Sequence, residues 1–363
     1  MTYGDYPDLT GVKKVLVIKL RQLGDVLLTG AVFHVLKKRL GAEVHAYIYQ
    51  DSFPMLEGNA NVDRLIGYDR KWKHLGFFQK IAKEWKVWRD LRKEGYDLVI
   101  NLTEGDRGAL AAKAAKAPIR VGFQPKGRWQ KTIYTHIVKH CPSLRHTVER
   151  NLDALRRIGI FPDLEERELF LKVFEASKEQ VKAWVDGPFV LIHPTSRWLF
   201  KCWPVQKMRA LTVELIRQGK RIVFTSGPDP LEKQMVEEIT HGLDVINRSG
   251  KISLQDLAAF IEMSEVLVCV DSVPFHMANA LKKKVVAIFG PTSEITWGPW
   301  RNPDAQIVVE TLSCRPCYMD GCGGSKRSDC LDRISVEAVL RHCCTAPKAE
   351  NLLQDKFSSL ADH

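Results

Sequence analysis

An α/β protein made of two similar halves, each built on a parallel sheet, is the fold class this sequence predicts, and three observations carry the prediction. Short apolar runs alternate with amphipathic stretches of helical period, the pattern of successive βαβ units. The alternation runs through twice, with a polar, Pro-containing connector at residues 161–166 between the passes. With 363 residues and 45% hydrophobic content, the chain is long enough for two domains of ordinary size. The expected division is residues 1–170, residues 171–345 and a polar tail at 346–363.

The first half opens on the apolar run at residues 15–18, followed by the polar turn Arg21-Gln22-Leu23-Gly24-Asp25 and an amphipathic stretch over residues 26–40. Strand candidates follow at residues 44–49, Arg64–Tyr68, residues 96–102 and Ile119–Phe123, with helical patterns at residues 77–91 and 146–158. In the second half the strand candidates are residues 189–193, residues 221–225, Val266–Val270 and residues 285–289. Helices are expected at Val205–Arg217 and residues 231–240, preceded by Pro204 and Pro230, because proline suits a helix start. The carboxyl edges of two such sheets would face an interdomain cleft, a common place for small-molecule sites.

Composition narrows the function. No run reaches the roughly 18 to 20 apolar residues that span a bilayer, and the start MTYGDYPDLTG has acids and no apolar signal core. A cytoplasmic protein with largely reduced cysteines is expected, nine being an odd count for a closed disulfide framework. A net charge of +11 implies an acidic partner: nucleic acid, an anionic lipid surface or a phosphorylated substrate. The charge concentrates, interleaved with Trp, at Arg70-Lys71-Trp72-Lys73 and at residues 126–131 (KGRWQK). There is no Gly-x-Gly-x-x-Gly after the first strand and no Gly-Lys-Ser/Thr P-loop, which disfavours a dehydrogenase or P-loop ATPase. There is also no Asp-x-Asp pair to hold a cation against a diphosphate.

Residues 265–300 are the most informative segment. Asp271 stands at the carboxyl end of an apolar strand and at the start of a helix, the ligand crevice of an open α/β sheet. The first turn of that helix should favour an anionic or polyhydroxy ligand. Residues 191–204 (LIHPTSRWLFKCWP) leave a neighbouring strand through Thr195 and Ser196, offer Lys201 as a point charge and reach a helix at Pro204. Together these groups suit a diphosphate, although residues 191–204 alone also read as an ordinary strand-to-helix loop with a surface Lys. Asp25 reads two ways, as a helix-cap or first-turn acid and as a carboxylate base aimed into the cleft. His276, five residues after Asp271, suits a sugar hydroxyl, a phosphate or a structural role, whereas His193 and His34 read as structural. Cys314, Cys317, Cys322 and Cys330 follow a C-x2-C-x4-C-x7-C spacing, open to a structural zinc or, by default, to a reduced or partly oxidised structural loop.

Taken in order, VLVIKLRQLGDVLLT from Val15, the Thr195 segment, Asp271-Ser272 with His276, Phe289-Gly290-Pro291-Thr292, Trp297-Gly298-Pro299-Trp300 and the Cys loop resemble the ADP-heptose:lipopolysaccharide heptosyltransferases. The resemblance runs from about residue 13 to residue 343, and the segment Tyr68 to Lys73 is most similar to the inner-core heptosyltransferase III branch. It implies a GT-B architecture with two Rossmann-like domains, the first binding the acceptor and the second the donor. The implied activity is inverting, metal-independent transfer from ADP-heptose, with no cofactor required, to a phosphorylated heptose-Kdo-lipid A core at the cytoplasmic face of the inner membrane.

By the same resemblance Asp25 is the catalytic base, Thr195, Ser196 and Lys201 contact the donor diphosphate, and Asp271, with Ser272 and His276 beside it, binds donor sugar hydroxyls. Arg70, Lys71, Lys73 and Arg120, with the 126–131 region, become candidate contacts for the anionic acceptor and for peripheral association with an anionic membrane. Two departures stand out. Val273-Pro274 replaces the Gly common after the Asp-Ser/Thr pair, and Pro230 intervenes where relatives carry a ribose-binding Glu, so that the next acid is Glu232. The alternatives are a heptosyltransferase of type I or II, another GT-B nucleotide-sugar transferase and, from a different class, a nucleic-acid-binding protein. That last reading has no helix-turn-helix, zinc-finger or RRM signature to support it, and no nucleic acid is expected as a partner.

Overall fold

Why the apolar runs become strands is visible in their burial: β10 (Val266–Val270) reads Val-Leu-Val-Cys-Val and is buried at every position, as a strand covered on both faces requires. The computed structural model describes residues 5–124, 127–141 and 143–344. Lys126 of the second basic cluster and the expected tail at 346–363 lie outside the described residues. The chain divides into two units, Met1–Lys172 and Val173–His363.

In the first unit β1 (Lys14–Lys19), β2 (Glu43–Tyr49), β3 (Arg64–Tyr68), β4 (Leu98–Asn101), β5 (Ile119–Phe123) and β6 (His136–Val138) form one sheet in the order β3-β2-β1-β4-β5-β6. In the second, β7 (Val190–His193), β8 (Ile222–Phe224), β9 (Ile246–Asn247), β10, β11 (Val285–Ile288) and β12 (Ala305–Val308) form the order β12-β11-β10-β7-β8-β9. Every pairing is parallel, and numbered within its own unit each sheet has the doubly wound order 3-2-1-4-5-6. The centre of the first sheet registers Val15 against Leu98, and the centre of the second Leu267 against Leu191. The predicted fold class is therefore the observed one.

Several elements differ from expectation. The stretch at residues 26–40 is not one helix: Leu23–Leu27 ends at Leu28, and Gly30–Leu40 follows. Buried side chains hold the break, since the Thr29 hydroxyl donates to Val26 O and Asn151 Nδ2 donates to Leu28 O at 3.0 Å. Gly41, at φ +60°, closes the second of these helices in the left-handed conformation that glycine adopts without penalty. Pro230 is the first residue of the helix Pro230–Thr240 rather than its predecessor. Among elements not predicted, β6, β9 and β12 are short strands at sheet edges, where two to four residues cannot set up a period. No helix among the described residues is long and apolar enough to cross a membrane.

Candidate active site

In a doubly wound sheet the crevice lies at the carboxyl ends of the two strands whose connections depart in opposite directions. In the second unit those strands are β7 and β10, and the side chains that follow them meet. Asp271 comes directly after β10 and is 5% exposed. Its Oδ2 accepts from Lys201 Nζ at 2.7 Å and from Thr292 Oγ1 at 2.6 Å. Lys201 ends the 3-10 turn Leu199–Lys201 beyond β7, and Thr292 lies beyond β11, so three strand ends converge on one carboxylate. A buried carboxylate needs such partners, and charge-assisted bonds are the strong ones. The Lys201 side chain keeps 18% of its surface in solvent, and an ammonium carries three donors, of which Asp271 takes one.

The other predicted donor residues are placed differently. Thr195 is fully buried, and its hydroxyl donates to Glu232 Oε2 at 2.6 Å, an oxygen that also accepts from Gly227 N at 3.0 Å. That proton is committed inside the protein. Ser196 shapes its loop: its N–H donates to Cys202 Sγ at 3.3 Å, and its Oγ accepts from Trp198 N at 3.4 Å. Burial pushes the Cys202 thiol up to about 12, so it stays protonated. Ser272 is the N-cap of Val273–Ala280 without capping it, and its hydroxyl donates to Val270 O at 3.2 Å. The first turn expected to bind anions is poorer in donors than predicted, because Pro274 has no N–H and the Phe275 N–H is taken by Ser272 O. His276 is buried, its ring centre 5.4 Å from that of Phe275 and 6.2 Å from that of Trp297.

The Cys segment acts as a structural loop, and its contacts show what it holds. Arg315 Nε donates to Gly290 O at 2.7 Å, its Nη2 donates to Thr292 O at 3.2 Å and pairs with Glu294 at 3.1 Å, and Cys317 N and Tyr318 N both donate to Pro291 O. Further along, Ser328 Oγ donates to Phe200 O at 2.7 Å. The segment thus grips the Gly290–Thr292 turn on one side and the Lys201 turn on the other. Gly321, at φ +86°, permits its tight return, since a Cβ there would meet Arg327 N at 2.5 Å. As for a zinc site, Cys314, Cys317 and Cys322 are exposed and Cys330 is buried. Among the described residues no three His, Cys, Asp or Glu side chains gather to hold a metal ion.

In the first unit the corresponding strands are β1 and β4. Asp25 is half-buried in the first turn of Leu23–Leu27, whose N-cap is Gln22, so it is a first-turn acid and not the cap. Lys19, the last residue of β1, is 6% exposed and donates to Leu102 O and Asn151 Oδ1, both at 3.2 Å. Burial draws its pKa down to about 8, with the Asp25 charge the leading opposing influence. The candidate base therefore sits in the field of a buried amine that the sequence reading passed over.

Around this centre lies a basic rim. The Arg70 guanidinium donates to Gln22 Oε1 and Arg21 O, pairs with Asp51 at 3.1 Å and stacks 4.0 Å over the Tyr49 ring. Lys71 and Lys73 are exposed on the same turn, Arg70–His74. Arg107, also missed, stacks 4.4 Å over Tyr68 and donates to the Tyr49 hydroxyl at 3.3 Å. Arg120 is the predicted residue that does not join: its guanidinium is spent on Ile133 O and on Ala117 O, which precedes β5, toward the opposite sheet edge from Asp25.

Comparison with known proteins gives a consistent result. The glycosyltransferase family 9 (heptosyltransferase) profile matches residues 84–326. Lipopolysaccharide heptosyltransferase 3 of Escherichia coli K12 is 32% identical over 292 residues, 77% of this chain and 83% of that one. Among solved structures, a glycosyl transferase family 9 protein from Veillonella parvula superposes with a TM-score of 0.79 at 24% identity, covering 92% of this chain and 97% of that one. The E. coli heptosyltransferase WaaC with ADP superposes at 0.70 and 20% identity, covering 90% and 98%.

Proposed function

The chain belongs to glycosyltransferase family 9, the heptosyltransferases, as a glycosyltransferase of GT-B architecture, and from that premise we propose that it transfers heptose from ADP-heptose to a heptose of the lipopolysaccharide core. The observation that carries the donor assignment is the Lys201–Asp271–Thr292 cluster at the β7/β10 switch point. In this reading residues 171–345, nearly all within the second unit, form the donor domain. Lys201 neutralises the diphosphate and the departing ADP in place of a divalent cation, while Asp271 positions the donor sugar hydroxyls. The ADP carried by WaaC supports the nucleotide.

Residues 1–170, within the first unit, take the acceptor. Asp25 removes the proton of the acceptor hydroxyl as its oxygen attacks the anomeric carbon. In an inverting displacement the base and the leaving-group cation act on opposite sides of that carbon, and this chain carries them on different units. Arg70, Lys71 and Lys73, beside Asp25 along the carboxyl edge, suit the phosphates of a heptose-Kdo-lipid A core. Arg120 supports the fold instead. The reaction is placed at the cytoplasmic face of the inner membrane.

Incubation of the purified chain with ADP-heptose and a truncated core acceptor tests the proposal. The expected result is ADP release with one heptose added, inversion at the anomeric carbon by NMR, and a rate unchanged by EDTA. Product from another nucleotide sugar but none from ADP-heptose would overturn the donor assignment, and loss of activity in EDTA would overturn the role given to Lys201.

A further inference from the structure

The helix Phe77–Lys93 has only one buried residue, Leu91. Its inner face is thin: Val87 packs on the core, and Glu84 accepts from the Tyr68 hydroxyl at 2.9 Å. On its outer side Phe77, Phe78, Ile81 and Trp85 are 72%, 84%, 47% and 58% exposed. At positions i, i+1, i+4 and i+8 they form one continuous stripe. Scattered exposed apolar residues are ordinary, but a contiguous aromatic patch on a helix marks an interaction surface.

What covers this stripe is indicated by the charge beside it. Lys86, Arg89 and Lys93 recur at i, i+3 and i+7 along the adjoining row, all exposed, and the Arg89 guanidinium lies 5.3 Å from the Trp85 ring centre. Over the whole helix six Lys and Arg stand against two acids, and the basic turn Arg70–His74 ends three residues before it. An aromatic stripe flanked by cations, low in mean hydropathy and too short to span, is the pattern of a helix lying in the plane of a membrane interface. We infer that Phe77–Lys93 docks the chain on an anionic phospholipid bilayer, with Phe77, Phe78, Ile81 and Trp85 inserted at the acyl boundary and the Lys86 row against the headgroups. The inference rests on the lipid-linked acceptor of the preceding reading and adds the surface that brings the enzyme to it.

Co-sedimentation of the full chain with phosphatidylcholine vesicles, with and without phosphatidylglycerol, tests this without donor or acceptor, so its outcome is independent of the transfer assay. The chain should partition onto the anionic vesicles, and raising salt should weaken that partition. Removing each aromatic in Phe78→Ser and Trp85→Ser should weaken it about tenfold, and Lys86→Gln with Lys93→Gln should weaken it about fivefold per charge. Circular dichroism confirms that each variant is folded, and turnover on a deacylated, soluble acceptor should match the wild type. Unchanged partition of the folded aromatic variants would overturn the proposal. So would a wild-type chain that ignores anionic vesicles but self-associates in light scattering through this stripe, which would make the face a contact between copies.

Discussion

The two units share one sheet order, yet their switch points are built on opposite plans. In the second, the charged groups satisfy one another: Asp271 is buried under Lys201 and Thr292, and the surrounding loops are tied down by Glu232, Cys202 and Arg315. In the first, Asp25 is half-buried, its neighbour Lys19 is a buried amine held by neutral oxygens, and the rim cations face solvent or stack on tyrosines, with Arg70 also pairing with Asp51. A closed network suits a small nucleotide sugar whose charge is fixed in advance. An open rim suits the large, phosphorylated acceptor proposed for this unit. In the proposed division between donor and acceptor, one topology would support two recognition strategies, because the side chains beyond the strands, and not the strands themselves, set the site.

The strongest test of this contrast is Asp25→Asn, which keeps the shape and removes the proposed base. Turnover should fall about 10²- to 10⁴-fold, while ADP binding by calorimetry stays within about twofold. A comparable loss of ADP affinity would erase the distinction between the units. Next, Lys201→Ala strands a buried carboxylate, so the second unit should lose about 3 to 5 kcal/mol in denaturant unfolding and kcat should fall about 10²- to 10³-fold. Adding Asp271→Asn should restore much of the stability and none of the activity. If the double variant regains turnover, the pair is structural.

The smallest expected effect sharpens the first unit. Lys19 binds its proton less tightly in the folded chain than when unfolded, with a folded pKa of about 8 against 10.5. The unfolded chain therefore holds more protons between these values, and stability contributed by this group should rise as pH climbs from about 8 to about 10.5. The rise, up to about 3 kcal/mol, should be missing from Lys19→Met in paired urea titrations. Parallel curves for the two proteins would show that the amine is not held against its charge.

The sheets were legible because core strands such as Val266–Val270 and Val285–Ile288 are short apolar runs bounded by turn residues, and the helix Val205–Arg217 keeps one period throughout. The Leu28–Thr29 break was not, since it depends on Asn151, more than a hundred residues away. At the site, Lys201 and Asp271 could be placed from their positions after apolar runs, and Thr292 carried the same signal after residues 285–289. Arg315 had none: its role exists only because a distant loop folds over the Gly290–Thr292 turn. Thr195 followed the pattern for a phosphate hydroxyl, but the structure gives that proton to Glu232, the acid displaced by Pro230. Charge counted along the chain likewise failed to separate Arg70 at the rim from Arg120, whose guanidinium is turned onto backbone carbonyls.

Each sheet is assembled from six consecutive strands, β1 to β6 and then β7 to β12, so a cut between Lys172 and Val173 severs no ladder. The junction is thus a natural splice point. A hybrid in which residues 173–344 follow the first half of a relative keeps every strand with its own neighbours. Measuring which core such a hybrid decorates, and from which nucleotide sugar, would assign the choice of each substrate to one half of the chain without altering a single side chain in the other.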